Sequence, residues 1–143
     1  MADIKRVTDG FSVAPQLALD DFPELAAMGF RHVINNRPDG EGFGQPSSKA
    51  AEAAAKAAGL TYVHAPFAGS PPPAAVAAVT AQLADAKGPV IAYCRSGTRS
   101  ITAWALAQAK SSSLTPEAII KAAADAGYDL TPMKDLLRNL GSE

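Results

Sequence analysis

Cysteine is almost missing from this chain of 143 residues. Cys94 stands alone, so no internal disulfide can form, which fits a reducing compartment and a cytoplasmic location. Histidine is scarce too: two His and one Cys, far apart in sequence, cannot build a structural zinc site. Neither a metal nor a cofactor is expected. Aromatic residues are only 6% of the chain, and 13 Lys and Arg face 14 Asp and Glu, for a net charge of −1. A nucleic-acid partner calls for a basic excess with aromatic platforms, and both are lacking. No stretch approaches the ~20 apolar residues of a membrane-spanning helix. The opening "MADIKRVTDG" has charges and no apolar segment, so it does not read as a signal peptide.

What is there suffices for a core. Hydrophobic residues make up 48%, and neither a linker nor a repeat interrupts them, so residues 1–143 are expected to form one domain. Short apolar runs alternate with helical ones. "IKRV" and "FSVA" flank an Asp-Gly turn signal and predict an opening hairpin. Asp20 or Asp21 is placed to cap a helix through "FPELAAM". "RHVIN", "LTYVHA" and "GPVIAY" read as strands, and the Gly-rich, charged "NRPDGEGFGQP" as a loop. Residues 47–58 have high helix propensity, with Gly59 as a stop. Ser70 with Pro71, Thr115 with Pro116 and Thr131 with Pro132 each look like a cap followed by proline in a first helical turn. A further helix is predicted from about Thr98 to Lys110. Strands separated by helices imply crossovers, hence an α/β domain with a mostly parallel central sheet flanked by helices. Ligands in such sheets bind at the carboxyl ends of strands, and Cys94 ends one of them.

The run "IAYCRSGTRSITAW" is where chemistry is concentrated. A loop that curls from a strand into a helix aims its N–H groups inward and makes an anion cradle. Gly97 permits a sharp turn, and Arg95 and Arg99 add positive potential. In that field the Cys94 thiol is expected to ionise at neutral pH and act as a nucleophile. Arg99 carries a fork matched to the oxygens of phosphate or sulfate. Ser96 or Ser100 is placed to donate to the sulfur, and Ser96, Gly97, Thr98 and Arg95 complete the cradle. A lone cysteine is usually a small core residue, but a core does not select Arg, Ser, Gly, Thr, Arg and Ser after it.

The loop "CRSGTRS" is similar to the signature loops of cysteine-dependent phosphatases and of rhodaneses. Together with "VINNRPDGE", a Gln-Pro pair, an Ala-rich helix and "GLTYVHAPF", it resembles one bacterial family, the phosphatase-like domain of beta-lactamase hydrolase-like proteins, or DUF442, from about Ile4 to Leu130. The resemblance implies a fold like that of dual-specificity phosphatases, with Cys94 as nucleophile, Arg99 and the loop amides as anion holders and Ser100 assisting the sulfur. Two departures matter. Related phosphatases place five residues between Cys and Arg; here there are four, Arg95 to Thr98, as in a rhodanese. They also often take an acid from the loop before the cysteine strand, and here that loop, "PFAGSPPP", has no carboxylate. Asp39 is the first substitute as general acid, with Glu41 and His64 behind it. Glu41 otherwise reads as a solvated loop charge, and His64 as a satisfied strand-end histidine. Arg37 either widens the field over the pocket or pairs with a carboxylate. Tyr93 stands where many phosphatases have His and, like Trp104, reads as core. Three functions stay open: a phosphatase-like hydrolase forming a phosphocysteine at Cys94, a sulfurtransferase carrying a Cys94 persulfide, and a non-catalytic anion-binding module. Each takes a small anionic partner.

Overall fold

A computed structural model describes residues 2–85 and 88–141. Five short strands form one sheet in the order β1-β2-β5-β3-β4. Strands β1 (Lys5–Thr8) and β2 (Phe11–Ala14) are the antiparallel hairpin predicted around Asp9 and Gly10, with a bulge between Arg6 and Thr8. Strands β3 (His32–Asn35), β4 (Thr61–His64) and β5 (Val90–Tyr93) run parallel to one another, and β2 runs parallel to β5. Helices α1 (Asp21–Ala27), α2 (Ser48–Ala57) and α3 (Pro73–Asp85) are the crossovers such pairing requires. Helices α4 (Thr98–Lys110), α5 (Pro116–Asp125) and α6 (Lys134–Gly141) follow the last strand.

Strand β5 lies at the centre, fully buried on both faces. Its side chains alternate: Ile91 and Tyr93 join the core with Leu17, Phe22 and Leu25 of the α1 side, and Val90 and Ala92 join that with Val79, Trp104 and Ile119 of the α3–α4 side. Cys94 continues the even-numbered register, so the pleat itself sends it toward α4. Phe11 and Trp104 stack at 5.7 Å beneath the hairpin, and Tyr93 meets Phe22 edge-on at 6.5 Å, so both read as core residues correctly. Burial first, then the Tyr62 hydroxyl, pushes the Tyr93 phenol pKa far up.

Local capping explains which helix starts were legible. Ser47 Oγ accepts from Ala50 N–H and Thr115 Oγ1 from Ala118 N–H, both at 3.1 Å. Three expected caps differ. Helix α3 starts at Pro73 rather than after Ser70, because three consecutive prolines hold the preceding residues out of the helical region. Thr131 and Pro132 lie in a 3-10 turn, Thr131–Met133, which leads directly into α6. Asp20 occupies the cap position of α1 without a side-chain bond, while Asp21 Oδ2 accepts from Ala18 N–H at 2.8 Å and so ties the preceding turn.

Candidate active site

The turn after β5 forms as its sequence requires. Gly97 adopts φ +93°, caps α4 and donates its N–H to Cys94 Sγ at 3.0 Å. Any side chain there would be strained, and its Cβ would lie 2.1 Å from the Tyr128 hydroxyl oxygen. That hydroxyl donates to the Ser96 carbonyl at 2.9 Å, so Tyr128 braces the turn from outside. Burial first, and the Cys94 sulfur second, raise the Tyr128 phenol pKa. Cys94 is fully buried at the floor of the turn, under an amide hydrogen and beside a guanidinium. The first N–H groups of α4 have no acceptor within the helix; that of Thr98 reaches Ser96 Oγ at 3.4 Å, and Ser96 Oγ–H donates to Thr98 Oγ1 at 3.1 Å. Arg95 and Thr98 are exposed at the rim.

Arg99 is oriented by two partners. Its Nη1 donates to Glu41 Oε2 at 2.9 Å and to the Phe67 carbonyl at 3.0 Å, and its Nη2 donates to Glu41 Oε1 at 2.7 Å. A guanidinium has five N–H donors, so the edge formed by Nε–H and the second Nη2–H is left for the Cys94 sulfur and for an oxyanion beside it. Glu41 first, and the Cys94 sulfur after it, hold the Arg99 pKa above its ordinary value. Glu41 also accepts from Arg37 Nε at 3.0 Å. Arg99 and then Arg37 outweigh burial and lower the Glu41 pKa from 4.5 to about 2. Glu41 is therefore a paired rather than a free loop charge: it clamps Arg99, and the two arginines favour its carboxylate form.

Several of the expected site residues have contacts of their own. Arg37 is buried and donates from Nη1 to Gln16 Oε1 at 3.0 Å and from Nε to Glu41 Oε1 at 3.0 Å. Ser100 is also buried, and its hydroxyl donates to Asn36 Oδ1 at 2.8 Å, so the sulfur does not receive it. Asp39 is exposed, and its Oδ1 accepts from Ser48 N–H at 2.7 Å, at the start of α2. His64 Nε2 donates to the Arg37 carbonyl at 2.9 Å, since a carbonyl only accepts, and so ties the end of β4 to the loop after β3. Among the described residues no group of three or more His, Cys, Asp and Glu is arranged to hold a metal.

Sequence reasoning passed over Asn36, Gln16, Gln45 and Tyr128. Gln45 pins the loop after β3, accepting from the N–H groups of Glu41 and Gly42 at 3.1 Å and donating to the Pro38 carbonyl at 2.9 Å. Asn36 is a hub: its Nδ2 donates to the Ala65 carbonyl at 2.9 Å, its Oδ1 accepts from Ser100, and its N–H reaches the Tyr93 carbonyl at 2.8 Å. It joins β5, the segment before α3 and the first turn of α4. Asn36→Ala strands the buried Ser100 hydroxyl and the half-buried Ala65 carbonyl, at about 1–3 kcal/mol for the first and less for the second, so unfolding in denaturant is expected to show a loss of about 2–4 kcal/mol. A loss under about 1 kcal/mol would mean the hub carries no stability.

A central parallel strand, a cysteine at its end, an amide cradle and a carboxylate-clamped arginine on the next helix define a phosphatase-like α/β domain. Comparison with solved structures agrees. A candidate phosphatase of Neisseria meningitidis superposes with a TM-score of 0.81 over 96% of this chain and 97% of its own, at 29% identity. Tk-PTP matches with a TM-score of 0.73 and 17% identity over 98% of this chain and 97% of its own. PTPMT1, solved in complex with PI(5)P, matches with 0.71 and 18% over 97% and 94%. The chain itself belongs to the family of the beta-lactamase hydrolase-like protein, phosphatase-like domain, whose family model matches residues 3–111. Beta-lactamase hydrolase-like proteins of Agrobacterium fabrum and Xylella fastidiosa are 41% and 37% identical to it over 73% and 71% of its length. The chain spans 24% of the length of each of these relatives.

Proposed function

We propose that this domain is a cysteine-dependent phosphatase acting on a small phosphomonoester. The observation that carries the reading is the convergence of the Gly97 N–H and the clamped Arg99 guanidinium on the Cys94 sulfur. In the first step the Cys94 thiolate attacks phosphorus, an S–P bond forms and the P–O bond to the leaving group breaks. The free edge of Arg99 and the amides from Arg95 to Ser100 hold the equatorial oxygens, where preorganised donors act most strongly. In the second step water attacks the phosphocysteine, the electron pair of the S–P bond returns to sulfur, and the protons of water leave on inorganic phosphate. Arg37 and Gln16 act through Glu41, and Ser100 and Asn36 hold α4 in register with the sulfur. Arg95 at the rim meets the substrate first.

The four-residue spacing from Cys94 to Arg99 favours a second reading, sulfur transfer through a Cys94 persulfide, with sulfite expelled from thiosulfate. One assay separates the two. The purified protein is given para-nitrophenyl phosphate and, separately, thiosulfate with cyanide. Phosphate release without thiocyanate is the expected result; thiocyanate without phosphate assigns the sulfurtransferase. Silence in both, with inorganic phosphate still bound, leaves an anion-binding module.

The low pKa of Glu41 has a thermodynamic consequence. A carboxyl depressed from 4.5 to about 2 stabilises the fold fully above pH 4.5 and loses that contribution as pH falls toward 2. The Glu41 side chain is 26% exposed, so solvent screens the pair and the contribution is about 1 kcal/mol. The stability deficit of Glu41→Gln, measured in denaturant, is expected to be constant from pH 7 to pH 5 and to shrink below it. A deficit independent of pH down to 2 would rule out the clamp as its source.

A further inference from the structure

Phosphoryl transfer to sulfur leaves a leaving-group oxygen that either takes a proton or departs as an anion, and the surroundings of Cys94 bear on which. The segment from Ala65 to Pro72 lies directly against the site, since its Ala65 carbonyl binds Asn36 and its Phe67 carbonyl binds Arg99. It contains no titratable side chain. The neighbouring carboxylates, the histidine and the phenols each have a hydrogen-bond partner already. Glu41 is ionised down to about pH 2 and spends both oxygens on arginine. Asp39 is exposed, and its Oδ1 accepts from the first N–H of the ten-residue helix α2 at 2.7 Å. His64 Nε2–H is held by the Arg37 carbonyl. The Tyr62 hydroxyl sits between Asn35 Nδ2 and Ser48 Oγ at 2.9 and 2.8 Å, and that of Tyr128 donates to the Ser96 carbonyl. Among the described residues none of these is placed to donate a proton to a leaving oxygen.

We infer that, on the phosphatase reading above, the site selects phosphoryl groups whose leaving oxygen departs as a stable anion: aryl and acyl phosphates rather than alkyl phosphates. The P–O electron pair goes to that oxygen with no proton from the chain, and the leaving group is protonated later by water. Negative charge on the oxygen is then large in the transition state, and the rate must follow its basicity.

The test uses para-nitrophenyl, phenyl and benzyl phosphate, with acetyl phosphate as the acyl case. Benzyl and phenyl phosphate share the ring but differ in leaving-group basicity, so ring binding cancels. In kcat/KM, para-nitrophenyl and acetyl phosphate are expected to lead, phenyl phosphate to follow, and benzyl phosphate to fall on the order of a hundredfold below phenyl. The ordering is expected to persist with the same spacing in Asp39→Asn and His64→Gln. Comparable rates on phenyl and benzyl phosphate would overturn the inference, as would either variant losing phenyl phosphate turnover while keeping that of para-nitrophenyl phosphate. Inactivity on all four esters is a different result: it removes the phosphatase reading itself.

Discussion

Cys94→Ser is expected to abolish turnover of para-nitrophenyl phosphate, by on the order of 10⁴-fold or more, with little change in the melting temperature. A serine hydroxyl in place of the thiol differs by one atom, and the pleat that places position 94 depends on β5, whose partners in β2 and β3 are untouched. What changes is the nucleophile. A thiol ionises where a hydroxyl does not, and none of the bases around the site is free to take a serine proton. The cradle survives, so inorganic phosphate should still bind. The combination of retained binding and lost turnover is the informative result. Turnover within about tenfold of the parent protein would mean that the sulfur is a core atom, whatever the loop around it resembles.

Arg99→Ala is expected to cost about a thousandfold in kcat/KM and to weaken inorganic phosphate binding far more than Arg37→Ala does. Two effects add. The free edge of the guanidinium is lost, and the Glu41 carboxylate, which Arg99 neutralised, is left facing the cradle as an anion. Adding Glu41→Ala to Arg99→Ala should therefore restore part of the binding, a sign that ordinary loss of a contact does not give. Arg37 touches Glu41 and Gln16 instead of the anion, so its removal loosens the clamp and should cost tenfold or less, read in the same phosphate titration with folding checked by melting. Equal losses for the two arginines would mean the anion site lies elsewhere.

The sheet, the cysteine turn and the span of α4 were legible because their signals are local. "GPVIAY" is a buried strand by composition, Gly97 is the one residue in the turn suited to φ +93°, and Ser47 and Thr115 cap helices three residues away. The side-chain network was less legible because its partners are distant in sequence. Ser100 lies 64 residues from Asn36, and Arg99 lies 58 from Glu41. Nothing in "CRSGTRS" tells which way the Ser100 hydroxyl turns, and adjacency to the cysteine pointed to the sulfur. Glu41 looked like a loop charge because the glycines around it signal solvent, whereas the loop is closed by Gln45, a residue whose role shows only in three dimensions. Asp39 followed the same logic in reverse: an acid after a strand end looks available until the next helix claims it.

The Tyr128 brace ties chemistry to a part of the chain beyond the family match at residues 3–111. Its phenol comes from the segment after α5, and the sulfur-bearing turn rests on it. A force applied to α5 or α6 thus has a short mechanical route, through one aromatic ring, to the turn that holds Cys94. Remodelling of that helical pair during divergence from a common ancestor would shift the turn around Cys94 without altering a single letter of "CRSGTRS".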